Sequence, residues 1–127
     1  MANLVSAEAD RMLNASVNAT AFTLPTTPMK LALCTAVGTA TAAGTEVTGG
    51  SYARQTIAFT TSAGSGVSNS GAVSFTGMPA VTVTSVDLFD SAGTPRRCWF
   101  GTLAASKTTN SGDTLSFAIG ALTVSLS

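Results

Sequence analysis

The chain has 127 residues, enough for one domain with a single hydrophobic core. Only 9% of the residues are charged, the formal net charge is zero, and there is no histidine. Six scattered basic residues cannot form a phosphate-binding surface, so nucleic acid is not an expected partner.

The first predicted element is an amphipathic helix over about residues 7–19. Glu8 and Asp10 lie in its first turns, where the helix dipole favours acidic side chains. A narrow, mainly apolar stripe recurs at spacings of three and four residues and consists of Ala9, Met12, Leu13, Ser16 and Val17. The helix must therefore pack on the domain's own sheet or on a neighbouring subunit. Residues 20–28 contain two prolines and are expected to form an extended connector.

Residues 29–37 have the pattern of a central strand. Apolar side chains occupy both faces, and those on one face are small. Residues 38–50 then form a long Thr/Ala/Gly loop, in which Glu46 is the only charged residue. A loop of this length is at the upper end for a compact domain and indicates a functional or interface role.

Residues 49–59 begin with a paired-glycine turn and continue as a half-buried strand. Ile57 and Phe59 are predicted to face the core, together with Gln55. Tyr52 and Arg54 then lie on the opposite face, with Thr56 and Ala58.

Three further regions complete the predicted sheet. A strand ends near residue 77, and residues 81–90 change parity in a way that predicts a β-bulge near Ser85. Residues 96–103 form the most aromatic strand and are followed by a polar turn at 107–113. The last segment changes parity at Gly120, so it is either one bent strand or two strands in two packed sheets.

This pattern predicts a mainly β fold, an antiparallel β-sandwich of seven or eight short strands with one N-terminal α-helix. Turn signals recur at intervals of about 8 to 15 residues, as in sandwiches. No second helical period appears, which disfavours an alternating β/α fold. We expect residues 1–127 to form a single domain.

The sequence offers little for catalysis. Without histidine, Ser-His-Asp and Cys-His nucleophile pairs are impossible. Cys34 and Cys98 are too far apart for a structural zinc site and are interpreted as buried thiols in preference to a disulfide. A regular strand places Asp87 and Asp90 on opposite faces, which disfavours a catalytic carboxylate pair. Asp87 is interpreted as solvated and Asp90 as turn-forming. We expect no enzymatic activity, cofactor, metal or small-molecule substrate.

The chain also lacks signals for membranes or secretion. Residues 1–5 have no basic region, and no stretch approaches the roughly 18 apolar residues that span a bilayer. We therefore expect synthesis in a cytoplasm and no membrane partner. The low charge also indicates a subunit whose surface is occupied in an assembly, because soluble monomers usually carry about a quarter charged residues.

From residue 29 onward the sequence resembles a family of short structural proteins of tailed bacteriophages and prophages, often called tail-fibre-like. The similarity is centred on residues 49–55, and it extends over 31–35, 46–48, 68–75, 86–93, 99–103, 106–115 and 120–126. Two segments depart from the family pattern. The loop at residues 77–80 is shorter than the corresponding loop of such proteins and lacks the tryptophan that this loop often contains. Residues 96–98 replace what is usually an apolar segment before the strand that contains Trp99.

The resemblance implies a virion component without catalysis, made in the bacterial host. Because the chain is compact and has no repetitive shaft, we expect a capsid decoration protein that binds the major capsid protein and itself, as a small homo-oligomer such as a trimer. The alternative is a tail or tail-fibre structural component or adaptor. A carbohydrate-binding module is also open, although Tyr52 and Trp99 are the only aromatic residues besides phenylalanine.

Seven residues are candidates for the interface. Tyr52 and Arg54 come first, because they lie on the non-core face of the segment that carries the resemblance. Arg96 and Arg97, beside Trp99, form either a recognition patch or an ordinary edge strand whose charges discourage aggregation. The long loop and the helix contribute the remaining candidates, which are Glu46, Met12 and Leu13.

Overall fold

The computed structural model describes residues 3–126, which form ten β-strands and one α-helix. In chain order they are β1 Asn3–Leu4, α1 Ser6–Val17, β2 Met29–Ala36, β3 Thr45–Glu46, β4 Gln55–Ile57, β5 Gly66–Ser68, β6 Val73–Met78, β7 Val81–Phe89, β8 Arg97–Thr109, β9 Asp113–Phe117 and β10 Thr123–Ser125. The strand count exceeds the predicted seven or eight because some strands, such as β1 and β3, are too short for alternation to be visible in sequence.

The strands pair in three antiparallel groups. The main sheet has the order β1–β8–β7–β2–β3, and β4 pairs with the beginning of β2 while β3 pairs with its end. The other two groups are the pairs β6–β9 and β5–β10. The predicted mainly β, antiparallel fold with one N-terminal helix is confirmed.

The hydrophobic core lies between one face of the main sheet and the β6–β9 pair. Phe75 of β6 and Phe117 of β9 pack edge to face, with ring centroids 6.4 Å apart. They share one buried cluster with residues of the main sheet, among them Leu31, Leu33 and Ile57. Two sheet layers around an apolar centre form a sandwich, and Ile57 occupies its predicted place in the core.

The opposite face of the main sheet is also buried, and it is lined by small and polar residues. Ala32 and Cys34 of β2 lie there, and their partners on β7 are Asp87 and Ser85. The loop before β3 covers this face so closely that a Cβ on Gly44 would lie 3.0 Å from the Cys34 sulfur. The prediction of a central strand with one small-residue face is confirmed.

The register between β7 and β8 shifts near Ser85, where the bulge was predicted, but the extra residues lie on the partner strand and not on β7. Val83 pairs with Lys107 and Ser85 pairs with Thr102, so residues 103–106 of β8 lie opposite Thr84 alone. The extra residues therefore belong to β8, which extends to Thr109 and shortens the predicted polar turn. At the other parity change, Gly120 has a φ of +78°, and the chain passes from β9 to β10 in a different sheet.

Helix α1 is attached to the sheet by few buried groups. Val5, at its N-cap position, donates a backbone hydrogen bond to Cys98, and Ser6 donates one to Ala40. Glu8 is the only buried residue of the helix. The helix ends at Val17, two residues before the predicted end, and most of its apolar stripe is left uncovered.

Candidate interaction surface

The Tyr52 side chain fills a gap in the main sheet. Leu33 lies between the part of β2 that pairs with β3 and the part that pairs with β4. Its carbonyl accepts the Val47 N–H at 2.9 Å, and its N–H is bound instead by the Tyr52 hydroxyl, also at 2.9 Å. The Tyr52 ring stacks on Phe75 with centroids 6.0 Å apart. This phenol therefore replaces a missing strand partner.

The Tyr52 hydroxyl also donates to Glu46, which is the centre of a small charged cluster. Glu46 accepts this bond at 2.8 Å and two more from Arg54, from Nε at 2.9 Å and Nη2 at 2.8 Å. Burial raises the pKa of Glu46, but the bonds from Arg54 and Tyr52 outweigh it and hold the pKa below its usual value. Burial, with the neighbouring Glu46, raises the pKa of Tyr52.

Arg54 is half-buried over an aromatic ring. Its guanidinium carbon lies 3.8 Å from the centre of the Phe89 ring, which is within cation–π distance. The bidentate pair with Glu46 holds the guanidinium in this position. Arg54 and Tyr52 thus link β3 to the turn that leads into β4.

A second charged cluster lies beneath the loop before β3. Asp87 is only 2% exposed, and it accepts bonds at 3.0 Å from the Gly44 N–H and from Arg97 Nη2. Arg97 also donates to the Thr39 carbonyl at 2.7 Å. The interpretation of Asp87 as solvated was wrong, because the loop folds over this face of the sheet and buries it. The alternation of side chains in β7 places Asp87 on that face, but it cannot predict that the loop before β3 will cover it.

A third cluster attaches the helix. Glu8 is 3% exposed and accepts bonds at 2.9 Å from Arg96 Nη2 and Arg11 Nη1.

Asp90 follows β7 and accepts three backbone N–H bonds, from Thr26, Ala92 and Arg96. Burial raises the pKa of Asp90, but these bonds outweigh it and leave the pKa below its ordinary value. The turn role predicted for Asp90 is confirmed.

The structure therefore places five of the seven candidates in clusters within the chain: Glu46, Tyr52, Arg54, Arg96 and Arg97. Contact between these residues and a partner stays a prediction, and each also has a structural role that sequence could not show. Met12 is half-buried, whereas Leu13 is 59% exposed. Val17 at 72% and Leu24 at 75% are exposed apolar residues that the candidate set omitted.

An apolar groove of about 610 Å³ lies between the main sheet and the segment that contains β9 and β10. Val86 and Trp99 line one side, and Leu122 and Val124 line the other. Residues 103–105, in the bulge of β8, form part of its wall. In the sequence, this groove is signalled only by the parity change within residues 81–90 that predicted the bulge.

Neither cysteine is available for chemistry at the surface. Cys34 and Cys98 are both free and 1% exposed. Burial, followed by the negative charges of Asp87 and Glu46, raises the pKa of Cys34 to about 12. Within residues 3–126 no three potential metal ligands cluster, and no helix has the length and apolarity to cross a membrane.

Comparison with known proteins identifies a family. The sequence model of the family described as Podophage GP4 fiber I protein gp80 matches residues 3–125. No curated protein matches the chain.

Proposed function

Because the chain belongs to the Podophage GP4 fiber I protein gp80 family, we propose that it is a non-enzymatic structural subunit of a phage fibre. The match covers both sheet layers and the helix, so the whole described domain takes part in the resemblance. A phage structural role agrees with the resemblance found in the sequence. The family's description is the observation that carries the assignment to a fibre.

The charged clusters support a role as a rigid building block. Glu8, Glu46 and Asp87 are each paired with arginine, and these pairs fix the helix and the loop before β3 to the main sheet. Charges used internally leave a surface dominated by small polar side chains, with few features for binding a charged ligand. The low surface charge agrees with packing against other virion proteins, because charged residues are depleted at the centres of protein interfaces.

A capsid decoration protein is the second candidate. It is favoured by the single sandwich that residues 3–126 form, which is the shape expected of a small protein bound to a shell. The partner would then be the major capsid protein. The fibre role places the chain with tail or fibre proteins instead.

Fractionation of purified virions separates the two. Particles are disrupted gently, heads and tails are separated on a gradient, and the chain is detected with an antibody. The major capsid protein serves as the marker for the head fraction. The fibre role predicts recovery with tails or released fibres, and recovery with intact heads would contradict it and support decoration.

A further inference from the structure

One exposed face of helix α1 has apolar residues and an acidic residue in a row. Asp10, Leu13 and Val17 follow at spacings of three and four residues, which places them on one face. Leu13 and Val17 are 59% and 72% exposed, so the helix presents two large aliphatic side chains to solvent. Exposed apolar residues that are adjacent on one element mark an interaction site better than scattered ones do.

The groove beside the β8 bulge has matching chemistry. Its walls are mainly apolar, and Lys107 is the only charged residue among them. A cavity of about 150 Å³ can hold a benzene molecule, so about 610 Å³ has room for several aliphatic side chains. An occupant with aliphatic side chains and a nearby carboxylate therefore fits it.

Two residues of opposite charge, Asp10 and Lys107, remain outside the ion pairs of the described residues. Within residues 3–126 every arginine is paired with a carboxylate, and Asp90 and Asp113 accept backbone N–H bonds. Lys30 donates to a threonine hydroxyl. Asp10 and Lys107 have no hydrogen-bonded or ion-paired partner in that part of the chain, although Lys107 lies 5.5 Å from the Phe117 ring centre. One is on the exposed helix face and the other is on the groove.

We propose that helix α1 of a second copy of this chain docks in the groove, with Leu13 and Val17 against its apolar walls and Asp10 beside Lys107. The helix and the groove are different surfaces of the molecule, so the contact is heterologous and its repetition closes a ring or extends a filament. This self-association deepens the proposed structural role and rests on it.

Sedimentation velocity of the purified full-length chain over a range of concentrations tests the proposal. Leu13→Asp removes an apolar contact at an exposed site and is expected to weaken association by about tenfold to hundredfold. Asp10→Lys and Lys107→Glu each place like charges together and are expected to weaken it about fivefold. The double variant D10K/K107E restores the opposite charges and should recover most of the association.

Lys30→Glu is the matched control, because it reverses a charge elsewhere on the sheet and should leave association unchanged. Circular dichroism confirms that each variant is folded. A wild-type chain that stays monomeric at all concentrations overturns the proposal, as does association that none of the groove or helix variants alters. A monomer that still fractionates with fibres would refute self-docking alone, whereas an oligomer found on heads would refute the fibre role alone.

Discussion

Replacing Tyr52 with phenylalanine tests whether one hydroxyl completes the main sheet. The ring and its stacking on Phe75 are kept, but the Leu33 N–H loses its acceptor and Glu46 loses one of three donors. Leaving a buried donor without a partner costs about 1–3 kcal/mol. An unfolding entropy of about 2.1 cal/mol/K per residue gives about 0.27 kcal/mol/K for this chain, so a loss of about 2 kcal/mol lowers Tm by about 7 °C.

The assay is thermal unfolding by circular dichroism, with amide hydrogen exchange measured by NMR. The Leu33 amide should lose more protection than the other amides of β2. Thr56→Val is the matched control, because it removes a hydroxyl whose bond to Lys30 is exposed, and it should change stability by less than about 0.5 kcal/mol. An unchanged Tm for Tyr52→Phe, with unchanged protection of Leu33, would refute the reasoning.

Three further predictions concern the charged clusters and the thiols. Arg97→Ala leaves the buried Asp87 carboxylate without its ion-pair partner and should lower the free energy of unfolding, measured in urea, by about 3–5 kcal/mol. Arg54→Ala breaks a more exposed pair and should lower it by about 1 kcal/mol. Equal losses for the two variants would contradict an effect of burial. The pKa of Asp90 is lowered on folding, so its contribution to stability is present above its unfolded pKa of about 3.9 and is lost as the pH falls through the lower folded value. Asp90→Asn should flatten the acid limb of a plot of Tm against pH, and an unaltered limb would exclude this role. The Cys34 thiol, with a pKa raised to about 12, should react with a disulfide reagent at pH 8 only after unfolding, and rapid labelling of the folded protein would contradict its burial.

The sequence predicted the fold where side-chain periodicity is strong. The central strand, the bulge near Ser85 and the change of direction at Gly120 all follow from which positions carry apolar residues. Two-residue strands such as β1 and β3 carry no detectable period, so they were not predicted. Residues 49–59 contain a strand of three residues, Gln55–Ile57, which is shorter than predicted, and Tyr52 before it binds the Leu33 N–H through its side chain.

The charged clusters could not be predicted for a different reason. Glu8 and Arg96 are 88 positions apart in sequence, so their contact depends on how the helix packs on the sheet. Glu46 and Arg54 are only eight positions apart, but a turn separates them and their contact depends on the path of that turn. Alternation predicted that Tyr52 and Arg54 both lie on the non-core face, and this was wrong for Tyr52, because its ring packs on the core residue Phe75. Alternation also could not show that the polar atoms of Tyr52 and Arg54 bind within the same chain. An arginine on a strand has the same sequence pattern whether its partner lies in the same molecule or in another.

The copy number of the chain in each virion tests the central claim most directly. Quantitative mass spectrometry of purified particles, with isotope-labelled peptides of this chain and of the major capsid protein, measures their ratio. The fibre role predicts a low copy number, a handful per particle. Hundreds of copies per particle would contradict it and would place the chain on the capsid shell.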